Sequence, residues 1–213
     1  MRNNIESKKI IELISGLPYF NTTDLFPVIK NKSYLKIIVS RYFKKGLIVR
    51  LKKGTYVARR YLDVLEKKGL LADYNEFLSN ILYKPSYLSL EYVLAEYNII
   101  TELPKNITSV SLNKTARFSN KINTFLYHKV RKELFLGFRT IKKDNFIIFK
   151  ATKSKALFDF LYLRKNLLVD KKAFLETRLN LNNLSSKDLK ELKKYINLEG
   201  SERMKRIFIY FSK

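Results

Sequence analysis

The segment from Leu25 to Leu62 reads LFPVIKNKSYLKIIVSRYFKKGLIVRLKKGTYVARRYL, and it decides how the N-terminal part of the chain folds. It holds eleven Lys and Arg residues and no Asp or Glu. Its pattern predicts a helix, a turn, a helix and then a tight basic β-hairpin, which is the order of a winged helix-turn-helix. The positive charge falls on the parts of that motif that would touch DNA.

Two helices are predicted before the helix that leads into the hairpin, which is therefore the third helix of the chain. Apolar residues at helical spacing predict a first helix over residues 4–16. Thr22 or Thr23 is predicted to cap a short second helix through its hydroxyl. Asp24 would then lie in the first turn, where the helix dipole favours a carboxylate.

The third helix has the composition of a DNA recognition helix. Ser33 is predicted to cap it, and Gly46 to end it after about Lys45 in a left-handed conformation. Its predicted apolar face consists of Leu35, Ile38, Val39, Tyr42 and Phe43. The residues predicted to face DNA are Ser33, Tyr34, Lys36, Ser40, Arg41 and Lys44. Such a stripe offers donors to phosphates and base edges, although a plain solvated helix face would look the same.

A basic hairpin follows this helix directly. Residues 47–51 alternate in polarity, Lys52-Lys53-Gly54 form a turn, and residues 55–57 return. Gly54 is predicted to supply the positive φ that a short turn needs. Five cations are predicted to cluster at or near the tip, namely Arg50, Lys52, Lys53, Arg59 and Arg60. A wing of this kind can neutralise backbone phosphates, whereas the alternative reading is a turn made basic for solubility alone.

The composition describes a globular chain with an extreme positive charge. Hydrophobic residues make up 46% of the chain and charged residues 29%, with a formal net charge of +24 at pH 7. Such a surface attracts polyanions, and nucleic acid is the commonest of these. An AT-rich genome would also raise the Lys content, but it would not explain an acid-free run that overlies a DNA-binding pattern.

Missing residue types exclude or disfavour several kinds of site. The chain has no Cys, which excludes disulfides, Cys-ligated zinc and Cys nucleophiles. It has one His, no Gly-rich phosphate loop and few carboxylates, so we expect no enzyme, no metal and no cofactor. No apolar run approaches the roughly 20 residues of a membrane helix, and the N-terminus lacks a signal-peptide core. We therefore expect a cytoplasmic protein without membrane partners.

The remainder of the chain predicts an α+β fold with two domains. Residues 1–60 would form the winged helix-turn-helix, residues 61–84 a helical linker with a break at Gly69, and residues 85–213 a larger domain. In that larger domain we expect a small, mostly antiparallel sheet followed by a C-terminal helical block. The predicted strands are 107–112, 115–118, 124–130, 134–141 and 146–151. The predicted helices of the block are 153–166, 171–180, 186–197 and 201–211.

A second acid-free block runs from Leu103 to Lys132. Its basic residues include Lys114, Arg117, Lys121, Lys129 and Arg131. Aromatic residues between these cations could hold nucleic acid by stacking. A sheet with one Lys-rich solvent face is an equally good interpretation, and a basic face of this kind could also dock an acidic protein partner.

Three stretches together resemble one known family. They are RYFKKGLIVRLKKGTYV (41–57), PSYLSLEYVLAEYNII (85–100) and FIIFKATKSKALFDFLYLR (146–164). The chain resembles the AbiEi-type antitoxins of bacterial abortive-infection (type IV) toxin–antitoxin operons. The stretches are similar, in order, to the family's N-terminal winged helix-turn-helix, to the start of its C-terminal domain, and to a strand-then-helix signature written A-T-P-E-K-A-L-x-D.

The match to the third signature is incomplete. Positions that agree are Ala151, Thr152, Lys155, Ala156, Leu157 and Asp159. Lys153 and Ser154 stand where Pro and Glu are usual, and Asn98 stands where Gly is common. We expect Thr152 to cap a helix, and Lys155 and Asp159 at i, i+4 to form a surface salt bridge. The alternative is that this pair binds a partner or locks the domain.

The resemblance implies a DNA-binding antitoxin that represses its own operon and takes part in phage defence by abortive infection. Its partners would be double-stranded operator DNA and a nucleotidyltransferase-like toxin, which it would counter with or without direct contact. It would be a monomer in solution or bind DNA cooperatively. The surface for antitoxicity would comprise Lys114, Arg117, Lys121, Lys129, Arg131, Lys155 and Asp159. Two alternatives stay open: a stand-alone winged-helix regulator without a toxin, and an enzyme that processes nucleic acid.

Overall fold

The computed structural model describes residues 2–211, and the side chains of residues 9–211. These residues form two compact units. The first unit comprises residues 2–75 together with Phe118–Asn123, and the second comprises Glu76–Arg117 and residues 124–211. The boundary after Asn75 lies inside the predicted linker, whereas nothing in the sequence indicated that residues 118–123 belong with the first unit.

The first unit alternates helices with short strands. Its elements are α1 (Arg2–Ser15), β1 (Phe20–Asn21), a 3-10 turn (Thr22–Leu25), α2 (Lys32–Lys44), β2 (Ile48–Lys52), β3 (Thr55–Ala58), α3 (Arg59–Lys67) and the first residues of α4 (Leu71–Leu82). The strands form an antiparallel sheet in the order β1-β3-β2, with Phe20 opposite Tyr56 and Val49 opposite Val57. The predicted sequence of helix, short helix, helix and hairpin is therefore present.

One apolar core holds the first unit together. It is made of buried residues from α1, the 3-10 turn, the loop after that turn, α2 and the sheet: Ile10, Ile14, Phe20, Leu25, Ile29, Leu35, Ile38, Val39, Tyr42, Ile48 and Ala58. Their removal from water is the main stabilising contribution available to a unit of this size. Because one side of α2 packs into this core, its opposite side faces solvent.

Both predicted caps in the first unit were wrong by one or two residues. The 3-10 turn begins after Asn21, whose backbone N–H donates to the Asp24 carboxylate at 2.7 Å. Helix α2 begins after Asn31, whose side-chain oxygen accepts from the N–H groups of Ser33 and Tyr34 at 2.9 and 3.0 Å. Asn is as good an N-cap as Ser or Thr, so the choice between neighbouring candidates depended on the backbone path.

The second unit contains a six-stranded sheet and most of the helices. Its elements are the rest of α4, β4 (Ser86–Leu88), α5 (Leu90–Glu96), β5 (Ile107–Ser111), the first two residues of β6 (Ala116–Ser119), β7 (Thr124–Lys129), β8 (Phe138–Lys143), β9 (Phe146–Ala151), α6 (Lys153–Arg164), α7 (Lys171–Leu175), α8 (Ser186–Glu199) and α9 (Glu202–Ile209). The strand order is β6-β7-β5-β4-β9-β8. The protein is thus α+β, as predicted.

The sheet is mixed, whereas a small, mostly antiparallel sheet was predicted: β8 and β9 pair antiparallel from Phe138–Ala151 to Lys143–Phe146, but two of the other pairings are parallel. Strand β4 pairs antiparallel with β5 and parallel with β9, and β5 pairs parallel with β7. Strand β7 runs in the same direction as β5 and lies between β5 and β6 in the sheet. Strand β4 was missed because three buried residues are too short to show an alternating pattern.

Two further differences lie near positive φ angles. The fourth predicted strand starts later, at Phe138, because residues 132–134 form a 3-10 turn and Gly137 has a φ of 77°. The predicted helix 171–180 ends at Leu175, and Arg178 has a φ of 52°. A residue in the left-handed region cannot continue a right-handed helix or a strand. No helix within residues 2–211 is long and apolar enough to cross a membrane.

Candidate nucleic-acid interface

The solvent side of α2 brings together the cations predicted for DNA. Ser33, Lys36, Ser40, Arg41 and Lys44 are exposed, and Tyr34 is half-buried. An open groove of about 540 Å³ runs along this face, lined by Lys36, Ile37, Ser40, Arg41, Lys44 and Lys45. Throughout residues 9–211 no acidic side chain pairs with Lys36, Arg41 or Lys44. Their charges are therefore available to an external anion.

The ends of α2 fix where this face lies. At its start the Asn31 cap makes Ser33 the second residue of the helix, so its hydroxyl is exposed in the first turn. At its end Gly46 has a φ of 70°, as predicted, and turns the chain into β2. The Leu47 N–H donates to the Tyr42 carbonyl at 3.0 Å, which ties the start of the hairpin to the last turn of the helix.

One residue of the predicted apolar face is in fact exposed. Leu35, Ile38, Val39 and Tyr42 are buried, but Phe43 keeps 42% of its surface in solvent. Ile37 on the groove side is 55% exposed. The core reaches α2 from one side only, so a residue at the margin of the apolar stripe stays outside it. Phe43 and Ile37 thus add apolar surface beside the cations.

The turn between β2 and β3 presents a second basic surface. Gly54 has a φ of 80°, as predicted, and its carbonyl accepts from the Thr22 N–H at 3.1 Å. Lys53 and Arg50 are exposed, and Lys52 is half-buried. The hydrogen bond to Thr22 holds the turn on the body of the unit. The two adjacent lysines are therefore presented from a fixed position.

Arg59 and Arg60 do not belong to this tip, contrary to the prediction. They are the first residues of α3 and follow β3 at the base of the hairpin. The Arg59 N–H donates to the Leu47 carbonyl at 2.8 Å, so Arg59 lies beside the end of α2. Four strand residues separate it from the turn, which is about 13 Å at the usual rise. The structure therefore divides the cluster into a tip group, Lys52 and Lys53, and a base group, Arg59 and Arg60, with Arg50 on β2 between them.

The cations predicted for a partner surface are divided between the two units. Lys114, Arg117 and Lys129 are exposed on or next to β6 and β7 of the second unit. Lys121 is exposed on the segment Phe118–Asn123, which belongs to the first unit. The Arg131 guanidinium donates to the Glu199 carbonyl at 3.2 Å and lies 3.8 Å from its carboxylate.

Lys155 and Asp159 are fully buried, so the predicted surface salt bridge was wrong. Both side chains have 0% exposure, and Lys155 Nζ lies 2.6 Å from Asp159 Oδ1. Asp159 Oδ2 accepts from the hydroxyls of Tyr87 at 3.0 Å and Ser89 at 2.7 Å. Burial raises the pKa of Asp159 and lowers the pKa of Lys155. The pair cannot contribute to a solvent-facing partner surface.

Aromatic rings enclose this buried pair. Lys155 Nζ lies 4.6 Å from the ring centre of Phe158, 5.5 Å from that of Tyr195 and 5.8 Å from that of Tyr87. Sequence reasoning missed these partners. A signal was present, since KALFDFLYL is apolar on all sides of a helix except at Lys155 and Asp159. A helix that is apolar all round is buried, and its charges must then find partners inside.

Residues that agree with the resemblance and residues that depart from it both have clear local roles. Thr152 caps α6, as predicted, by accepting from the Lys155 N–H at 3.2 Å, and its hydroxyl donates to Glu191 at 2.8 Å. Lys153 is the first residue of the helix and pairs with Asp188 at 2.7 Å. Asn98, which stands where Gly is common, has a φ of 54°. Asn adopts this left-handed conformation more readily than most residues other than Gly.

Replacing Gly137 is expected to disrupt the surroundings of Lys155. Gly137 has a φ of 77°, and a Cβ there would overlap the Tyr195 hydroxyl and lie 3.0 Å from Lys155 Cγ. We expect Gly137→Ala to lower the free energy of unfolding by about 3 kcal/mol, from positive-φ strain plus overpacking. Gly200→Ala is the matched control, because Gly200 has a φ of 82° but no atom closer than 3.9 Å. Urea denaturation should show a loss of about 1 kcal/mol for the control. Equal losses in the two variants would mean that the contact with Tyr195 does not matter.

Comparisons of the chain with protein-family models and with curated protein sequences gave no match.

Proposed function

We propose that the first unit is a winged helix-turn-helix that binds double-stranded DNA, with α2 as the recognition helix and the β2–β3 turn as the wing. The order of elements supports this proposal, since a helix, a strand, a short helical turn and a second helix lead into a hairpin. The sheet order β1-β3-β2 supports it as well, because β1 closes the hairpin on the side of β3. A helix presented in this way can enter the major groove.

The observation that carries the proposal is the exposed basic face of α2. Lys36, Ser40 and Lys44 follow one another at intervals of four residues on the exposed side of a 13-residue helix. At a rise of about 1.5 Å per residue these three positions span about 12 Å. Since Lys36, Arg41 and Lys44 have no acidic partner in the described part of the chain, DNA phosphates would not have to compete with an internal carboxylate.

The wing adds a second point of contact with the DNA backbone. Lys52 and Lys53 precede Gly54 at the turn, and Arg50 is exposed on the strand that leads to it. Lys and Arg at such a turn neutralise phosphates, which gives affinity without sequence preference. Base contacts from α2 would supply the specificity.

We further propose that this DNA-binding protein is an autorepressing antitoxin of an abortive-infection operon. The support is the resemblance of residues 41–57, 85–100 and 146–164 to the AbiEi-type antitoxins. Its toxin would be nucleotidyltransferase-like. A stand-alone regulator would share the DNA-binding unit and differ only in having no toxin to counter.

Single replacements on α2 should weaken DNA binding without unfolding the protein. We expect Lys36→Ala and Arg41→Ala each to lower affinity for the DNA upstream of the gene, because both side chains are exposed and neither pairs with an acidic side chain of residues 9–211. The slope of log affinity against log salt should become shallower by about 0.9 for each lost phosphate contact. Gel shifts over a salt series measure both quantities, with Lys190→Ala on α8 as an exposed control. Unchanged binding in both α2 variants would refute the assignment of α2 as the recognition helix.

The antitoxin role requires a separate experiment. The adjacent gene is expressed alone and together with this chain, and growth is scored. Growth arrest that the full chain relieves is expected. A chain that binds DNA but does not relieve arrest would be a stand-alone regulator instead, and metal-dependent cleavage of nucleic acid by the purified chain would point to an enzyme.

A further inference from the structure

Residues 120–123 form a tight turn between β6 and β7 that one side chain organises. The Asn120 side-chain oxygen accepts from the N–H groups of Ile122 at 2.8 Å and Asn123 at 3.1 Å. The Asn120 backbone N–H donates to the Asn123 carbonyl, also at 3.1 Å. An Asn side chain that binds the backbone two and three residues ahead fixes the local conformation of a turn.

The same side chain ties the turn to the basic hairpin of the first unit. Asn120 Nδ2 donates to the Leu51 carbonyl at 3.1 Å. Arg50 pairs with Tyr56 and Lys52 pairs with Thr55, so Leu51 between them has no partner residue in β3. The register of the β2–β3 pair therefore shifts by one residue at Leu51. Strand β2 is at the edge of its sheet, so the Leu51 carbonyl needs a partner from outside the ladder. Asn120 supplies that partner.

This hydrogen bond places a third cation beside the two lysines of the wing. Lys121 follows Asn120 in the chain, and Lys52 follows Leu51. Each cation is therefore only one residue, about 3.8 Å along the backbone, from the bonded pair. Lys121 is exposed, and no acidic side chain of residues 9–211 pairs with it. The whole stretch from Leu103 to Lys132 contains no acid that could neutralise it locally.

We propose that the turn of residues 120–123 is a third element of the DNA-binding surface, in which Lys121 contacts a backbone phosphate. Asn120 acts as the positioning residue that fixes the turn on the wing. The inference rests on the proposed function, and it moves Lys121 from the predicted partner surface to the DNA surface. Duplex DNA carries one charge per about 1.7 Å of axis, so a cation beside the wing meets a further phosphate.

Salt-dependent binding of the full chain tests the role of Lys121. The probe is a short fluorescent DNA duplex of mixed sequence, since a phosphate contact needs no operator. Lys121→Ala should make the slope of log affinity against log salt shallower by about 0.9. Lys105→Ala removes the same charge from an exposed position of the same acid-free stretch and should leave the slope unchanged. An unchanged slope for Lys121→Ala, or an equal change of slope in both variants, overturns the proposal.

A double-mutant cycle tests the role of Asn120. Asn120→Ala should lower the affinity in the wild-type background and have no further effect in the Lys121→Ala background, because it acts through Lys121. An equal loss in both backgrounds overturns the positioning role. Far-UV circular dichroism and thermal unfolding check that each variant is folded.

Different binding results would overturn this inference alone and the proposed function as a whole. If Lys36→Ala weakens binding but Lys121→Ala does not, α2 binds DNA and the turn takes no part. If the wild-type chain does not bind the duplex at low salt, both the proposed function and this inference are overturned.

Discussion

The variant with Lys52→Glu and Lys53→Glu is expected to bind duplex DNA at least about tenfold more weakly than the wild type, with loss of both specific and non-specific affinity. The two side chains precede Gly54 at the turn, which a hydrogen bond to Thr22 holds in place. Reversing both charges replaces attraction to the phosphates by repulsion. The salt dependence should also become shallower, by about 0.9 for each lost contact.

The control for this variant reverses the same number of charges elsewhere. Lys193 and Lys194 are adjacent and exposed on α8 of the second unit. The variant with Lys193→Glu and Lys194→Glu should show only the small loss that comes from a lower net charge. Fluorescence anisotropy with a mixed-sequence duplex compares the two at several salt concentrations. If the hairpin variant binds as well as the wild type, the β2–β3 turn is not part of the interface.

Lys155→Met is expected to lower the free energy of unfolding by about 3–5 kcal/mol, the largest stability effect of any single change considered. The substitution leaves the Asp159 carboxylate at 0% exposure without its cation, although the Tyr87 and Ser89 hydroxyls still donate to it. A buried charge that loses its partner retains the cost of leaving water. Urea denaturation at neutral pH measures the loss.

Two comparisons show whether the loss comes from the unpaired charge. Adding Asp159→Asn to Lys155→Met removes the charge but keeps an acceptor for the two hydroxyls, so we expect most of the stability to return. Lys205→Met breaks the exposed pair with Glu202 and should cost less than about 1 kcal/mol. Additive losses in the double variant would show that the pair is not coupled and that packing alone explains the effect.

Much of the first unit followed from local sequence. The helices and the hairpin were predicted in order, and Gly46 and Gly54 have the left-handed conformations that were expected. These features depend on interactions within a few residues, namely helical periodicity and turn chemistry. The exposed cations of α2 also followed from sequence, because the period of the helix assigns one face to the core.

The sequence did not decide between neighbouring residues that are equally good helix caps. Asn31 rather than Ser33 caps α2, and Asn21 rather than a Thr precedes the 3-10 turn. Arg59 was predicted to cluster at or near the hairpin tip because it is close in sequence, but it follows β3 at the base of the hairpin. In the sheet of the second unit, strand order depends on long-range pairing, which residue pattern alone does not encode.

Composition and short-range pattern determined the charge of the protein, its helices and turns, and the basic face of α2. Only the tertiary structure decided that Lys155 and Asp159 are buried and that Asn120 binds Leu51, because partners 69 to 72 residues away in the chain complete these contacts. The i, i+4 spacing brings the Lys155 and Asp159 side chains together on one face of α6. Whether that ion pair is solvated or buried depends on what packs against the helix.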